Sequence, residues 1–422
     1  MSVFFQIKKR SSRSKARIAS ITTSHGKVTT PAFVPVGTKG TIKALPQSFI
    51  KEIGIQLSFV NTYHLVTHPG VEILKNAGGI HGFAQYDIPL MSDSGGFQVF
   101  SLAQNKKKAD QNLKGKKDIR RADIRGDEEP LVLKISEDGV KFRSVYDGAV
   151  FEFTPEKSME YQRAVGADLM MTFDECTYYP ATHAYAEKAM KRTHEWLKRC
   201  IAHKKSLVIS RQSLKKEAVS TNNYLPSTND QYLYGIIQGG TYKDLRIASA
   251  KFVRDQDVDG VAIGGVSVGE SKKEMREQVR WSAPYLPDNK PVHLLGVGQI
   301  DDIVDLVGYG IDTFDCVEPT RLARMGTIYQ YQTSNVKSQI DKSHLKSRFT
   351  QIDIQKSIYK SDLSPVNNGC GCFVCRSYTK GYLHHLFKQK EILGYTLATY
   401  HNLWVMEELM KNIREMILQG LI

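Results

Sequence analysis

The stretch Gly310 to Gly326, G-I-D-T-F-D-C-V-E-P-T-R-L-A-R-M-G, sets a carboxylate, Asp315, near the end of an apolar run, Ile311 to Val317. An ionised aspartate in such surroundings has to be paired, hydrogen-bonded or used, because burying it alone is costly. Taken by itself it fits a turn cap as well as a catalytic group. Pro319 is expected to stop the strand, and Arg321 and Arg324 follow on what reads as a loop. Other apolar runs end in chemistry too. They lead into Ser92-Asp93-Ser94-Gly95-Gly96-Phe97-Gln98, Phe173-Asp174-Glu175-Cys176, Gln238-Gly239-Gly240, Gly264-Gly265-Val266-Ser267-Val268-Gly269-Glu270 and Leu295-Gly296-Val297-Gly298. Each one alone could cap a helix or make a turn. Together, Asp and Gln beside glycines suit a planar heterocycle: Asp accepts from ring N–H groups, Gln both donates and accepts, and glycine lets the backbone come close. Two carboxylates could also divide nucleophilic and acid/base work, as glycosyl-transferring sites do. The proton-handling partner would then need a raised pKa.

These ends are positioned by eight apolar, β-branched runs: Ala32–Val36, Leu57–Asn61, Ile88–Ser92, Leu169–Phe173, Tyr232–Ile237, Gly260–Ile263, Val292–Leu295 and Thr313–Val317. Nearly continuous apolar strands are those of a sheet buried on both faces. Helical patterns follow several of them, at Glu156–Val165, Ala184–His203, Tyr242–Gln256, Lys272–Ala283 and Ile300–Val307. This alternation predicts an α/β fold, a (β/α)8 TIM barrel whose working residues sit at the C-terminal strand ends. A doubly wound open sheet is the runner-up, but no Gly-x-Gly-x-x-Gly follows the first strand. The barrel is expected over residues 1–365, with loop insertions near 104–128 and 204–231. A small zinc-binding subdomain with the C-terminal helices is expected over 366–422, with the final amphipathic helix starting at Leu403.

Three of the six cysteines, Cys370, Cys372 and Cys375, lie within six positions. Three neighbouring thiols cannot pair evenly in disulfides, but three thiolates and one imidazole complete a tetrahedral zinc site. His384, His385 and His401 are the candidates for the fourth ligand. A site closed by four protein ligands is structural. The remaining thiols, Cys176, Cys200 and Cys316, are scattered, as in a reducing compartment.

The chain carries 58 Lys and Arg against 44 Asp and Glu, a formal charge of +14, which points to a polyanionic partner. Ten Lys or Arg precede the first acidic residue, Glu52. An acid-poor, Ser/Arg-rich start is a transit-peptide pattern, yet Arg17 to Thr23 already reads as strand, which limits that reading to the first dozen residues. No apolar run reaches the ~18 residues of a membrane span, and Val3 to Phe5 precedes the basic residues, the reverse of a secretory signal. A cytoplasmic location is expected.

Ser92-Asp93-Ser94-Gly95-Gly96-Phe97-Gln98, Phe173-Asp174-Glu175-Cys176, Gln238-Gly239-Gly240, Phe314-Asp315-Cys316-Val317-Glu318-Pro319-Thr320-Arg321 and C-x-C-x2-C with the later histidine, five motifs in this order, resemble a tRNA-guanine transglycosylase of bacterial type. The resemblance covers nearly the whole chain, apart from the two insertions and the first dozen residues. It implies a zinc-containing barrel that exchanges the wobble guanine of tRNA anticodons for a 7-deazaguanine, on the path to queuosine. By position, Asp315 corresponds to the nucleophile that attacks ribose C1′ and Asp93 to the general acid/base. Asp174, Gln238 and the Gly265 backbone correspond to base readers, and Ser94, Phe97, Cys176, Val268 and Leu295 fall in the base pocket. Cys370, Cys372, Cys375 and His401 correspond to the zinc ligands; Arg321 and Arg324 are candidates for holding RNA. Phe97 stands where Tyr is frequent and Leu295 where Met often lies, while Ser267 resembles the eukaryotic form. Cys176 and Val268 fit the bacterial form and favour preQ1 over queuine as the incoming base. The family also suggests a homodimer. Two rival readings remain: a non-catalytic tRNA-binding subunit, against which both Asp93 and Asp315 speak, and a barrel glycosidase for small sugars, which leaves the charge and the zinc motif without a role.

Overall fold

A computed structural model describes residues 3–96, 131–144, 147–215, 231–332 and 342–422, with the side chains of residues 131 and 208–215 left out of the description. All eight expected strands are present: Ala32–Pro35, Ser58–Val60, Leu90–Ser92, Leu169–Met171, Tyr232–Ile237, Gly260–Ile263, Val292–Leu294 and Thr313–Cys316. Numbered one to eight along the chain, they lie side by side as 1-8-7-6-5-4-3-2 in one sheet. The paired strands run parallel, and a parallel bridge joins Val36, just past strand one, to Phe59 of strand two. The sheet is nearly closed into a barrel, with helices around it, so the expected fold class holds. Buried Val, Ile, Leu and Phe side chains fill the strands, as the apolar runs require.

The chain divides into two compact units, Met1–Phe59 with Pro291–Ile422, and Val60–Lys290. In the first, an antiparallel meander (Phe5–Arg10, Arg17–Thr23, Gly26–Thr30) precedes strand one. Its Arg17 is buried and forks onto Asp312, with Nε 3.0 Å from Oδ1 and Nη2 2.6 Å from Oδ2. The Val292 N–H donates to the same Oδ2 at 2.8 Å. This carboxylate at the start of strand eight, passed over in the sequence, ties the meander to strands seven and eight. Further on, Asn402 of the long helix Ile392–Leu418 accepts from the Tyr329 N–H and donates to the Pro319 and Thr327 carbonyls.

The second unit holds strands three to six and a three-stranded antiparallel sheet, Leu131–Ile135, Val140–Arg143 and Val150–Phe153. Phe142 and Phe153 of this sheet pack with Tyr63, Met159, Phe173 and Trp196. It is absent from the sequence reading, although the alternation Val140-Lys141-Phe142-Arg143 carries its signal.

Three expectations need correction. The helix read as Ala184–His203 runs from His183 to Lys215, into the segment expected as a loop insertion over 204–231. No Gly or Pro interrupts residues 204–215, and Lys204 and Lys205 bind Asp259 and Asp257 on its way. The last helix begins at Ile392, not Leu403, so His401 lies on it. Arg321 and Arg324 do not stand on a loop: they lie on the helix Glu318–Arg324, which Pro319 opens from its first turn, where its missing N–H costs nothing. The 104–128 insertion lies outside the described residues.

Replacing Asp312 by Ala leaves the Arg17 guanidinium buried without its charge partner. A loss of about 3–5 kcal/mol in unfolding free energy is expected from denaturant titration.

Candidate active site

Strand eight carries Asp315 in register with Val34 of strand one, and His293 of strand seven pairs with Thr313. The Asp315 side chain is almost fully buried. Its Oδ1 accepts from the Gly296 N–H at 2.9 Å and lies 3.1 Å from His293 Nε2. Its Oδ2 has no hydrogen-bond partner among the described residues. Both contacts fall on one oxygen, and they hold the carboxylate from one side. The turn that supplies the Gly296 N–H also carries the half-buried Leu295. Cys316 is a poor rival nucleophile, since burial pushes its thiol up to about 12.

Asp93, just past strand three, is held by other means. Asn61 Nδ2 donates to Oδ2 at 2.5 Å, and the backbone N–H groups of Thr62 and Gly95 donate to Oδ1 at 2.7 and 3.2 Å. Thr62 Oγ1 also donates to the Asp93 carbonyl at 2.6 Å. Asn61 and Thr62 come from the end of strand two, so two strand ends fix this carboxylate with neutral donors.

The next strand end brings Asp174 to Ser94 and Gln238. Ser94 Oγ donates to Asp174 Oδ1 at 2.9 Å and Gln238 Nε2 to Oδ2 at 2.7 Å. Burial pushes Asp174 up to about 6 from the ordinary 3.8, against the pull of those two hydrogen bonds, with Asp93 and Glu175 adding repulsion. Gln238 Oε1 is buried and has no partner among the described residues, so it is an unused acceptor beside the carboxylate. Gly265, at φ +60°, lies against it: a Cβ there would come within 2.1 Å of Gln238 Oε1. The Gly265 N–H has no partner among the described residues. Two acceptors and a backbone donor therefore converge where a planar base edge with N–H and carbonyl groups would fit.

Arg246 went unremarked in the sequence. It is fully buried on the helix Lys243–Arg254 and has no carboxylate among its hydrogen-bond partners. Its Nε donates to the Gly240 carbonyl at 2.7 Å, Nη1 to Gly264 at 2.6 Å and Nη2 to both the Gly265 carbonyl and Gln278 Oε1 at 2.6 Å. Burial lowers its pKa to about 10. It fastens the glycine turns after strands five and six and takes up the Gly265 carbonyl. The available signal was its place among Leu245, Ser249, Ala250 and Val253 on the buried face of an amphipathic helix.

Glu175, next to Asp174, is paired with Arg192 and accepts from the Tyr185 hydroxyl at 2.6 Å. Cys176 is buried, its thiol pushed up by that burial. Val268 is half-buried and donates its N–H to Glu270 Oε2 at 2.9 Å. Phe97 lies outside the described residues.

Cys370, Cys372, Cys375 and His401 come together, with their ligand atoms all within 4.8 Å of one another. His401 Nδ1 lies 3.4 Å from the Cys372 and Cys375 sulfurs, while Nε2 lies 2.8 Å from the Tyr329 carbonyl. That carbonyl needs a proton on Nε2 and so leaves the Nδ1 lone pair for a metal. Three soft thiolates and one imidazole fit a tetrahedral metal ion. His384 is not a ligand, since its Nδ1 bonds the Ile354 carbonyl, and His385 is exposed.

Arg321 and Arg324 stand one turn apart on the helix Glu318–Arg324. Arg321 is exposed; Arg324 is half-buried and donates to the Thr320 carbonyl at 2.7 Å. Glu318, the pairing partner open to them, accepts from Gln299 instead at 2.6 Å.

The sequence model described as queuine tRNA-ribosyltransferase matches residues 11–422. The chain belongs to the queuine tRNA-ribosyltransferase family. Proteins of that name from Roseiflexus sp. (strain RS-1), Caldanaerobacter subterraneus and Pelotomaculum thermopropionicum are 39%, 41% and 40% identical to it. The aligned regions span 100%, 98% and 100% of this chain and 97%, 93% and 96% of those relatives. The resemblance to tRNA-guanine transglycosylases therefore stands, and with it the reading of the chain as an enzyme. No described helix is long and apolar enough to cross a membrane.

Two outcomes follow for this family member. Asp174 is raised on folding, so its carboxyl disfavours the fold where it must ionise: fully above pH ~6, not at all below pH ~4. Asp174→Asn should unfold at higher denaturant than the parent at pH 7, by up to ~3 kcal/mol, with the gain vanishing near pH 4. Elemental analysis should find one metal ion per chain, absent from Cys372→Ala.

Proposed function

We propose that the protein exchanges the wobble guanine of tRNA anticodons for a 7-deazaguanine, preQ1 in preference to queuine, through a covalent enzyme–tRNA intermediate. The observation that carries this reading is the one-sided anchoring of Asp315 in a chain of this family. An ionised carboxylate with one oxygen held by donors and the other bare suits a nucleophile at an anomeric carbon.

In this reading Asp315 Oδ2 forms a bond to ribose C1′ as the bond from C1′ to guanine N9 breaks, and the electron pair leaves with the base. Asp93 supplies the proton to the departing purine and takes it from the incoming one. The donors it accepts from on Asn61, Thr62 and Gly95 are neutral amides. The second displacement from C1′ restores the original anomeric configuration. Asp174 and Gln238 accept from the N–H groups of the base edge, and the Gly265 N–H donates to its carbonyl. Ser94 holds Asp174, while Phe97, Cys176, Val268 and Leu295 bound the pocket. The preference for preQ1 rests on Val268 and Cys176, whose bulk limits the room for the larger queuine. The base must leave its stack to be read in this way, and a single-stranded anticodon loop makes that cheap.

The excess of basic residues favours the tRNA backbone, and Arg321 and Arg324, one turn apart without a carboxylate partner among the described residues, suit phosphate contact. Zinc is the metal that Cys370, Cys372, Cys375 and His401 would hold; with four protein ligands it would stabilise the fold around them. The protein acts in the cytoplasm, as a homodimer.

Incubation with unmodified tRNA and labelled guanine tests the reading: label should enter the tRNA. Asp315→Asn should lower the exchange at least a thousandfold, with tRNA affinity and metal content retained. With both bases present, preQ1 should outcompete queuine. Binding of tRNA without any incorporation would instead make the chain a non-catalytic tRNA-binding subunit.

A further inference from the structure

His293 has no assigned part in the reaction, yet it is the only side chain among the described residues that hydrogen-bonds the Asp315 carboxylate. It is fully buried in strand seven, with Nε2 3.1 Å from Asp315 Oδ1 and Nδ1 2.8 Å from Thr313 Oγ1. The Phe59 ring lies parallel to the imidazole, with centroids 6.0 Å apart and planes inclined by 14°. Two hydrogen bonds at opposite ends of the ring, with an aromatic face against it, leave the imidazole little freedom to turn.

We infer that His293 is a positioning residue for the nucleophile, a fixed N–H donor that selects which oxygen of Asp315 attacks. The inference rests on the proposed role of Asp315. A carboxylate can only accept, so the proton must be on Nε2. A neutral imidazole then offers Nδ1 as an acceptor, and the Thr313 hydroxyl donates to it. Strand pairing sets this up, because His293 and Thr313 are register partners and Asp315 lies two residues further along the same strand face.

The donor has a consequence at each displacement. When Oδ2 bonds to C1′, Oδ1 becomes the carbonyl oxygen of the ester, still facing the imidazole and Gly296 N–H groups. When that C1′–Oδ2 bond breaks, the electron pair returns to the carboxylate, and the same two N–H groups stabilise the charge as it reappears. His293 gains and loses no proton in either step. Its contribution is orientation of the carboxylate and stabilisation of the developing charge by a donor already in place.

The test compares His293→Met with His293→Gln. The two side chains are unbranched and similar in length, but only Gln carries an N–H. His293→Met should lose about ten- to a hundredfold in kcat for guanine exchange, the scale for one donor to a charged group. KM for tRNA and thermal midpoint should stay near those of His293→Gln, which should recover most of the rate. Equal kcat in the two variants would overturn the inference, as would a loss seen only in KM or in thermal midpoint. Should neither fold, Thr313→Val takes their place: it keeps the imidazole and removes the hydroxyl facing Nδ1. A fall in its kcat supports the assignment and an unchanged kcat overturns it. Failure of the underlying reading would look different, since the parent protein itself would then incorporate no guanine.

Discussion

A carboxylate at the end of an apolar strand has to be met by donors, and the way each donor is placed decides what the carboxylate can do. Asp315 receives both of its contacts on one oxygen, which leaves the other free among the described residues. Asp93 has both oxygens engaged by neutral donors from the end of strand two and from its own turn. Asp174 is buried against a serine and a glutamine, with repulsion from neighbouring carboxylates, and so rises to about 6. One residue type at three strand ends thus acquires three characters. The differences come from which backbone N–H groups, amides, hydroxyl and imidazole meet each carboxylate.

Formal charges are dealt with around these sites by a consistent division. Arg192 takes Glu175, the acid next in sequence to Asp174, and so removes a second negative charge from competition for the same ligand. Arg246 is spent on three glycine-turn carbonyls and Gln278. Five donors in a rigid fork suit it to fastening two loops at once, which a lysine could not reproduce. The glycines matter for a matching reason. At Gly265 any side chain would collide with Gln238 Oε1, the acceptor left over for a ligand.

Much of the fold was legible because strands buried on both faces must be apolar throughout, and all eight runs became strands. Zinc-type spacing was equally plain: three thiols in six positions admit few other uses, and where spacing alone left three histidines open for the fourth ligand, the family resemblance pointed to His401, which lies by the sulfurs while His384 turns to a backbone carbonyl. What escaped was direction. Arg246, His293 and Asp312 are polar residues within apolar stretches, and each has partners eighteen or more positions away, as in Arg246 to Gly264, His293 to Asp315 and Asp312 to Arg17. A strand end shows in the apolar pattern, whereas the neighbour that completes it is set by the fold. The late start given to the last helix had a simpler origin: the metal motif drew attention to His401 as the end of a unit, although nothing between Gly394 and His401 would interrupt a helix.

The central claim is that Asp315 becomes covalently joined to the ribose of its tRNA. The most direct measurement is to denature the enzyme during turnover, digest the adduct with nuclease and protease, and locate the modified peptide by mass spectrometry. The account predicts a ribose-bearing fragment on the peptide that contains Asp315, with the mass addition on that side chain. An adduct mapped to Asp93 or Asp174, or guanine exchange with no adduct under conditions that trap one, would contradict it.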